Sequence, residues 1–250
     1  MITPIDLDHQ KWLGETLEQI AEEKAGIIKP GVPVVSAAQK PEAEKVLRAR
    51  ADERNTPMSF VTAPYEESAL SLPGSHQKEN AALAIAALRA AKVKVSRDSV
   101  RRGLAAVAWP ARFQRFDERI VIDGAHNVAG ARVLAKTWRE VFGDEKATLI
   151  FGVFRDKEVA SIFRELAGIV TAVYLPVFRG ERALPPNELS ALIAAVVPGI
   201  PRRGFTSTAD ALQFVRQSQS PILVAGSLHL AGEALAHLRG TPAAFEECAQ

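Results

Sequence analysis

From Arg119 onward, short apolar runs alternate with segments of helical spacing, and this repetition constrains the fold more than any other feature of the chain. The runs Arg119–Asp123, Ala147–Val153, Val170–Leu175 and Ile222–Ala225, with a weaker one near Gly204, read as strands. Between and after them, Val128–Phe142, Asp156–Leu166, Asn187–Val196, Ala209–Val215 and Leu228–Leu238 read as helices. Val128, Ala131, Leu134, Trp138 and Val141 fall on one face of the first of these. Strands that are apolar throughout, each followed by an amphipathic helix, imply an α/β fold of Rossmann-like type, with a mainly parallel sheet covered on both faces.

The earlier part is less regular. Val32–Ala37 and Met58–Thr62 are strand-like, with the helical stretch Pro41–Arg54 between them, and two helical segments follow at Glu79–Ala91 and Asp98–Val107, the second capped by Ser96. Trp109-Pro110-Ala111-Arg112-Phe113 breaks the helical pattern, which places a domain boundary between residues 1–108 and 109–250.

Composition narrows the function classes. Lys and Arg number 31 against 29 Asp and Glu, a net charge of +2, which gives no electrostatic footprint for nucleic acid. The one cysteine, Cys248, excludes an intrachain disulfide and Cys-rich zinc sites, and points to the reducing cytoplasm. The longest apolar stretches, such as Ala81–Leu88, fall well short of the roughly 18 residues of a membrane span, and the N-terminus lacks a signal-peptide layout.

In an open α/β sheet, ligands bind beyond the carboxyl ends of the strands, so strand-to-helix junctions carry most functional weight. Asp123-Gly124-Ala125-His126-Asn127 is the richest: a carboxylate ends a strand, a glycine lets the backbone turn, and a histidine stands at a helix start that favours anions. The same residues also suit a structural role, with Asn127 as a helix cap and Asp123 satisfying local backbone donors. Ala225-Gly226-Ser227-Leu228-His229 places a hydroxyl, first of all a helix cap, at an equivalent edge. Without a Gly-x-Ser-x-Gly elbow it supports no hydrolase triad. At Arg155-Asp156-Lys157-Glu158, Asp156 as a cap accounts for part of the mixed charge.

Lys24 stands apart. Thr16 and Gln19 fit a capping box, and Leu17, Ile20 and Ile27 define an apolar face with Lys24 in its middle and Glu18 and Glu22 opposite. A lysine on a buried stripe must reach for solvent, lose its charge or take part in chemistry.

Ile5-Asp6-Leu7-Asp8-His9-Gln10-Lys11-Trp12-Leu13-Gly14-Glu15-Thr16 and Ile20-Ala21-Glu22-Glu23-Lys24-Ala25-Gly26-Ile27-Ile28-Lys29-Pro30-Gly31 closely resemble the folylpolyglutamate and dihydrofolate synthase family of the Mur ligase superfamily. Asn80-Ala81-Ala82-Leu83-Ala84, Trp109-Pro110-Ala111-Arg112-Phe113-Gln114, Asp123-Gly124-Ala125-His126-Asn127 and Gly226-Ser227-Leu228 follow in that family's order. The resemblance implies a partial Mur-type ATPase domain over residues 1–108 and a Mur-ligase-type C-terminal domain over 109–250. It implies that ATP phosphorylates a carboxylate of dihydropteroate or a folate, and that the amino group of L-glutamate then attacks the acyl phosphate, with these small-molecule substrates, and neither nucleic acid nor membrane, as partners. By the same resemblance, His9 is a magnesium ligand and Lys24 a catalytic residue, carbamylated and supporting the metal site. Asn80, Arg112 and Asp123 hold the base and ribose side of ATP, His126 acts catalytically near its phosphates, and Ser227 lies by the same nucleotide.

Four positions depart from the family pattern: Val128 stands for a Pro, Ala111 for a Gly, Glu158 for an Asp and His229 for a Tyr. The chain also contains no Gly-x-x-x-x-Gly-Lys-Ser/Thr phosphate loop, so it is expected to be the later part of a longer enzyme and to lack ligation activity alone. Two other readings stay open: a catalytically silent homologue that binds nucleotide, glutamate or a partner, and a peptidoglycan-type Mur ligase.

Overall fold

In the computed structural model, which describes residues 1–8, 10–217 and 219–241, the chain divides into two compact units, Met1–Ala108 and Trp109–Gln250. His9 and Cys248 lie outside the described residues.

The second unit is built on a six-stranded sheet of β3 (Gln114–Arg115), β4 (Ile120–Ile122), β5 (Ala147–Phe151), β6 (Val170–Pro176), β7 (Arg202–Phe205) and β8 (Ile222–Ala225). The spatial order is β3-β4-β8-β5-β6-β7, parallel throughout except for β3 against β4. Because side chains alternate across a strand, the inner strands feed two cores. Val121, Leu149, Phe151, Val173, Leu175, Leu223 and Ala225 enter one core, and Ile120, Ile122, Ile150, Ile222 and Val224 enter the other.

Three helices cover the first face. These are α6 (Val128–Phe142), α7 (Val159–Leu166) and α8 (Pro186–Val196), which contribute among others Trp138, Phe163 and Ile193, all fully buried. The opposite face is covered by α9 (Thr208–Val215) and α10 (Leu228–Arg239), through Leu212, Leu230 and Ala234. Trp138 anchors the first face by stacking on Phe142 at 4.3 Å and donating its indole N–H to the Glu145 carbonyl at 2.7 Å. The buried side of α6 is Ala131, Leu134, Ala135, Thr137 and Trp138, so Val141 turns outward, contrary to its place on the expected face.

The chain leaves β4 for the first face and leaves β8 for the other, although these two strands are neighbours. Their carboxyl ends therefore flank a point where the winding reverses, the place where open α/β sheets bind ligands.

The first unit contains α1 (Gln10–Leu13), α2 (Leu17–Ala25), β1 (Val34–Ala37), α3 (Pro41–Glu53), β2 (Met58–Val61), α4 (Ser75–Ala90) and α5 (Arg97–Ala106). β1 and β2 pair in parallel across α3, and Ile2 adds a parallel bridge to Ser36 on the other side of β1. The Gln39 side chain pins that opening segment, accepting from Ile5 N at 2.8 Å and donating to Thr3 O at 2.9 Å. A core of Ile2, Ile5, Ile20, Ala21, Ala25, Ile28, Val34, Ala43 and Leu47 joins α2 and α3 to β1. Among the described residues no helix is long and apolar enough to cross a membrane.

Two local expectations are corrected. The capping box forms, with Thr16 Oγ1 accepting from Gln19 N and the Gln19 side chain accepting from Thr16 N, yet Lys24 does not lie on a buried stripe. The helix stops at Ala25, Gly26 caps it, and Ile27 turns out to 60% exposure, so the buried side is Ile20, Ala21 and Ala25 with Ile28 beyond, and Lys24 is exposed in the last turn. Likewise, α7 begins at Val159 with Glu158 at its cap position, because residues 153–155 are held in pairing with the loop after β6. Asp156 therefore caps nothing.

Candidate functional site

The sheet edge at the β4 and β8 ends is assembled mostly by backbone contacts. Gly226 N donates to Ala125 O at 2.9 Å, and Gly152 N to Ala225 O at 3.4 Å, so the three strand ends lie against one another. Gly226 has φ +110°, and a Cβ there would stand 2.5 Å from the Gly152 carbonyl oxygen, which only glycine tolerates. Ser227, 2% exposed, caps α10 by accepting from His229 N at 3.1 Å, and its hydroxyl keeps a proton to donate.

Asp123 is half-buried directly after β4. One carboxylate oxygen accepts from Phe113 N at 2.7 Å and the other from Ala125 N at 2.8 Å. Burial raises its pKa above the ordinary carboxylate value, against the opposing pull of those two amides, the Arg112 guanidinium and His126. Asn127 caps α6 through Gly130 N at 2.7 Å. The structural roles open to Asp123, Asn127 and Ser227 are thus all present, on residues grouped at one sheet edge.

His126 is fixed by contact of Nδ1 with the Gly124 carbonyl at 2.8 Å. A carbonyl can only accept, so Nδ1 carries the proton in the neutral ring and Nε2 bears the lone pair. Next to this group, Arg112 is exposed between two buried residues, Ala111 and Phe113. Beside it on the same edge, Phe154 meets His229 edge-on at 5.0 Å and carries the Arg182 guanidinium 5.3 Å over its ring. Lys157 is only 11% exposed along its side chain, 3.5 Å from Asp156.

The structure therefore brings Arg112, Asp123, His126 and Ser227 together in the second unit. Asn80 and Lys24 belong to the first unit, both exposed, Asn80 on α4 with its amide donating to Gln77 Oε1 at 3.1 Å. Sequence reasoning assigned no role to Gln114 or to the backbone of Ala111 and Phe113, which shape the Arg112 loop. The available signal was the loss of helical spacing after Trp109-Pro110, which marks an ordered loop.

Comparison with known proteins places this edge in a family. Residues 111–228 match the family described as Mur ligase, glutamate ligase domain. The chain is 34% identical over 218 residues to the dihydrofolate synthase/folylpolyglutamate synthase of Bacillus subtilis, covering 76% of this chain and 51% of that protein. Escherichia coli FolC in complex with DHPP and ADP superposes with a TM-score of 0.82 at 26% identity, covering 96% of this chain and 61% of the other. The bifunctional folylpolyglutamate synthase/dihydrofolate synthase of Yersinia pestis, complexed with AMPPNP and a Mn ion, gives 0.78 at 25% identity, covering 95% of this chain and 61% of the other. The chain thus spans between half and two thirds of the length of the relatives it matches. On sequence and fold alike, the chain belongs to the folylpolyglutamate and dihydrofolate synthase family of the Mur ligase superfamily.

Proposed function

We propose that the protein serves ATP-dependent ligation of L-glutamate to dihydropteroate or a folate, through an acyl phosphate. The observation that carries this reading is the grouping of Arg112, Asp123, His126 and Ser227 at the winding reversal of the domain that matches the glutamate ligase family. ATP supplies the phosphoryl group that turns a carboxylate into an electrophile, and the glutamate amine displaces phosphate to leave an amide. Arg112, with Asp123 holding its loop, serves the ribose side of the nucleotide, and Asn80 serves the base. His126, at the start of α6, lies near the phosphates, where its ring and the helix N-terminus favour negative charge. The Ser227 hydroxyl donates toward the same ligand.

A divalent ion, taken as magnesium, accompanies the phosphates in this reading, with His9 and a carbamylated Lys24 as its ligands. Among the described residues no group of three or more His, Cys, Asp or Glu converges on a metal position. An exposed Lys24 amine is open to carbon dioxide, and carbamylation would turn a cation into an anion.

ADP titration of the 250-residue chain tests the nucleotide reading. ADP is expected to bind, and Arg112→Ala to weaken it about tenfold through loss of a charge-assisted hydrogen bond. Binding unchanged by Arg112→Ala and by His126→Ala would remove the nucleotide from this edge.

A further inference from the structure

Arg112 sits in an unusual piece of backbone. Ala111 has φ +56° and Phe113 φ +44°, both in the left-handed region that side-chain-bearing residues avoid. Such conformations persist only where the surroundings over-determine them, and here they do. Ala111 N donates to the Gln114 side-chain oxygen at 3.0 Å, and Ala111 O accepts from Gly124 N at 2.8 Å. Phe113 N donates to the Asp123 carboxylate at 2.7 Å.

The side chains divide in the same way. Ala111 is buried in the core under α9 and α10, whereas Phe113 is buried in the opposite core, with its ring 6.2 Å from that of Trp138. The loop thus straddles the end of the sheet, and the residue between the two anchors has nowhere to go but outward. That residue is a cation.

We infer that Asp123 and Gln114 are positioning residues: together they hold residues 111–113 in this strained shape and so aim the Arg112 guanidinium at an anionic ligand. Each Asp123 oxygen accepts a backbone N–H group, one of them from Phe113 inside this loop, and in this proposal its effect on nucleotide binding runs through Arg112. The inference rests on the nucleotide reading above for the identity of the ligand, but not for the positioning itself.

Two measurements on the full 250-residue chain separate these. The first is a double-variant cycle read by ADP titration. Asp123→Asn and Gln114→Ala should each weaken ADP binding about tenfold with Arg112 present, and by less than about twofold in the Arg112→Ala background. Ala111→Gly, which accepts a positive φ without strain, should restore most of the affinity lost in Gln114→Ala. Equal losses in both backgrounds would mean that Asp123 or Gln114 touches the nucleotide directly, and would overturn the proposal.

The second measurement is hydrogen exchange at the Phe113 amide, expected to quicken about tenfold in both Asp123→Asn and Gln114→Ala. Wild-type protection in Gln114→Ala would overturn the positioning role whatever ADP does. If Arg112→Ala and His126→Ala both leave ADP binding unchanged while Phe113 exchange quickens as expected, the nucleotide reading fails and the positioning role stands.

Discussion

The two units use the same alternation of strand and helix to different ends. In the second, helices lie on both faces of the sheet, and the inner strands β4, β5 and β8 are buried throughout. In the first, β1 and β2 carry only the added bridge from Ile2, α5 buries none of its side chains, and Trp12, Val32, Val93 and Val95 are exposed at 73%, 53%, 47% and 44%. Its apolar residues gather in three small clusters rather than two continuous cores. A sheet covered on both faces isolates its hydrogen bonds from water, whereas a partial sheet leaves edges and apolar surface that contribute nothing to its own stability. The first unit is therefore expected to unfold at lower denaturant concentration and to be cut first by protease.

The sharpest way to break this contrast is to open a core in each unit. Trp138→Ala should destabilise the second unit by about 3–5 kcal/mol, and Leu47→Ala the first by about 2–5 kcal/mol, since both side chains are fully buried. Urea unfolding followed residue by residue through hydrogen exchange should show each variant shifting only its own unit. A common shift of both would mean that the two units unfold as one body.

Ser227→Ala should cost about 1 kcal/mol, the usual value of a lost helix cap, and should be seen only in the second unit's transition. Ala111→Gly works in the opposite direction: releasing a side chain from the left-handed region should stabilise the second unit by up to about 1 kcal/mol. A destabilised Ala111→Gly protein would show that the buried methyl group outweighs the strain.

The smallest effect is one of pH. The folded-state pKa of Asp123 lies above its unfolded value near 3.8, so the folded state binds the proton more tightly. This contribution to stability is full below the unfolded pKa and is lost as pH rises through the folded pKa. Acidification across that window should favour wild type relative to Asp123→Asn, and a gap that instead widens against wild type would contradict the raised pKa.

What could be read from the chain was what depends on neighbours in sequence. The Thr16–Gln19 capping box, the Asn127 and Ser227 caps and the inward alternation along β4, β5 and β8 follow from local spacing, and each forms. The grouping of Asp123, His126 and Ser227 was legible because strand ends in a parallel sheet share an edge. Lys24 was misplaced because its face was extrapolated past the point where Gly26 ends the helix, a stop that periodicity does not register. β3 was missed because Gln114 and Arg115 show no pattern of their own; their pairing with Ile122 and Val121 is set by contacts between residues 111–113 and Asp123-Gly124. The positive φ angles of Ala111 and Phe113 were hidden for the same reason, since only the partners across the loop impose them.

The place of β8 bears on how the second unit comes to exist at all. Ile120 pairs with Ile222 across about a hundred intervening residues, and such distant pairings are slow to form. Until β8 arrives, β4 and β5 have no partner between them and no direct bond to each other. A ribosome making this chain must therefore expose two apolar strands with open edges while the residues between Phe151 and Ile222, about half of the unit, are made. The last strand acts as a late keystone, and the nascent chain should depend on chaperones until residue 225 has emerged.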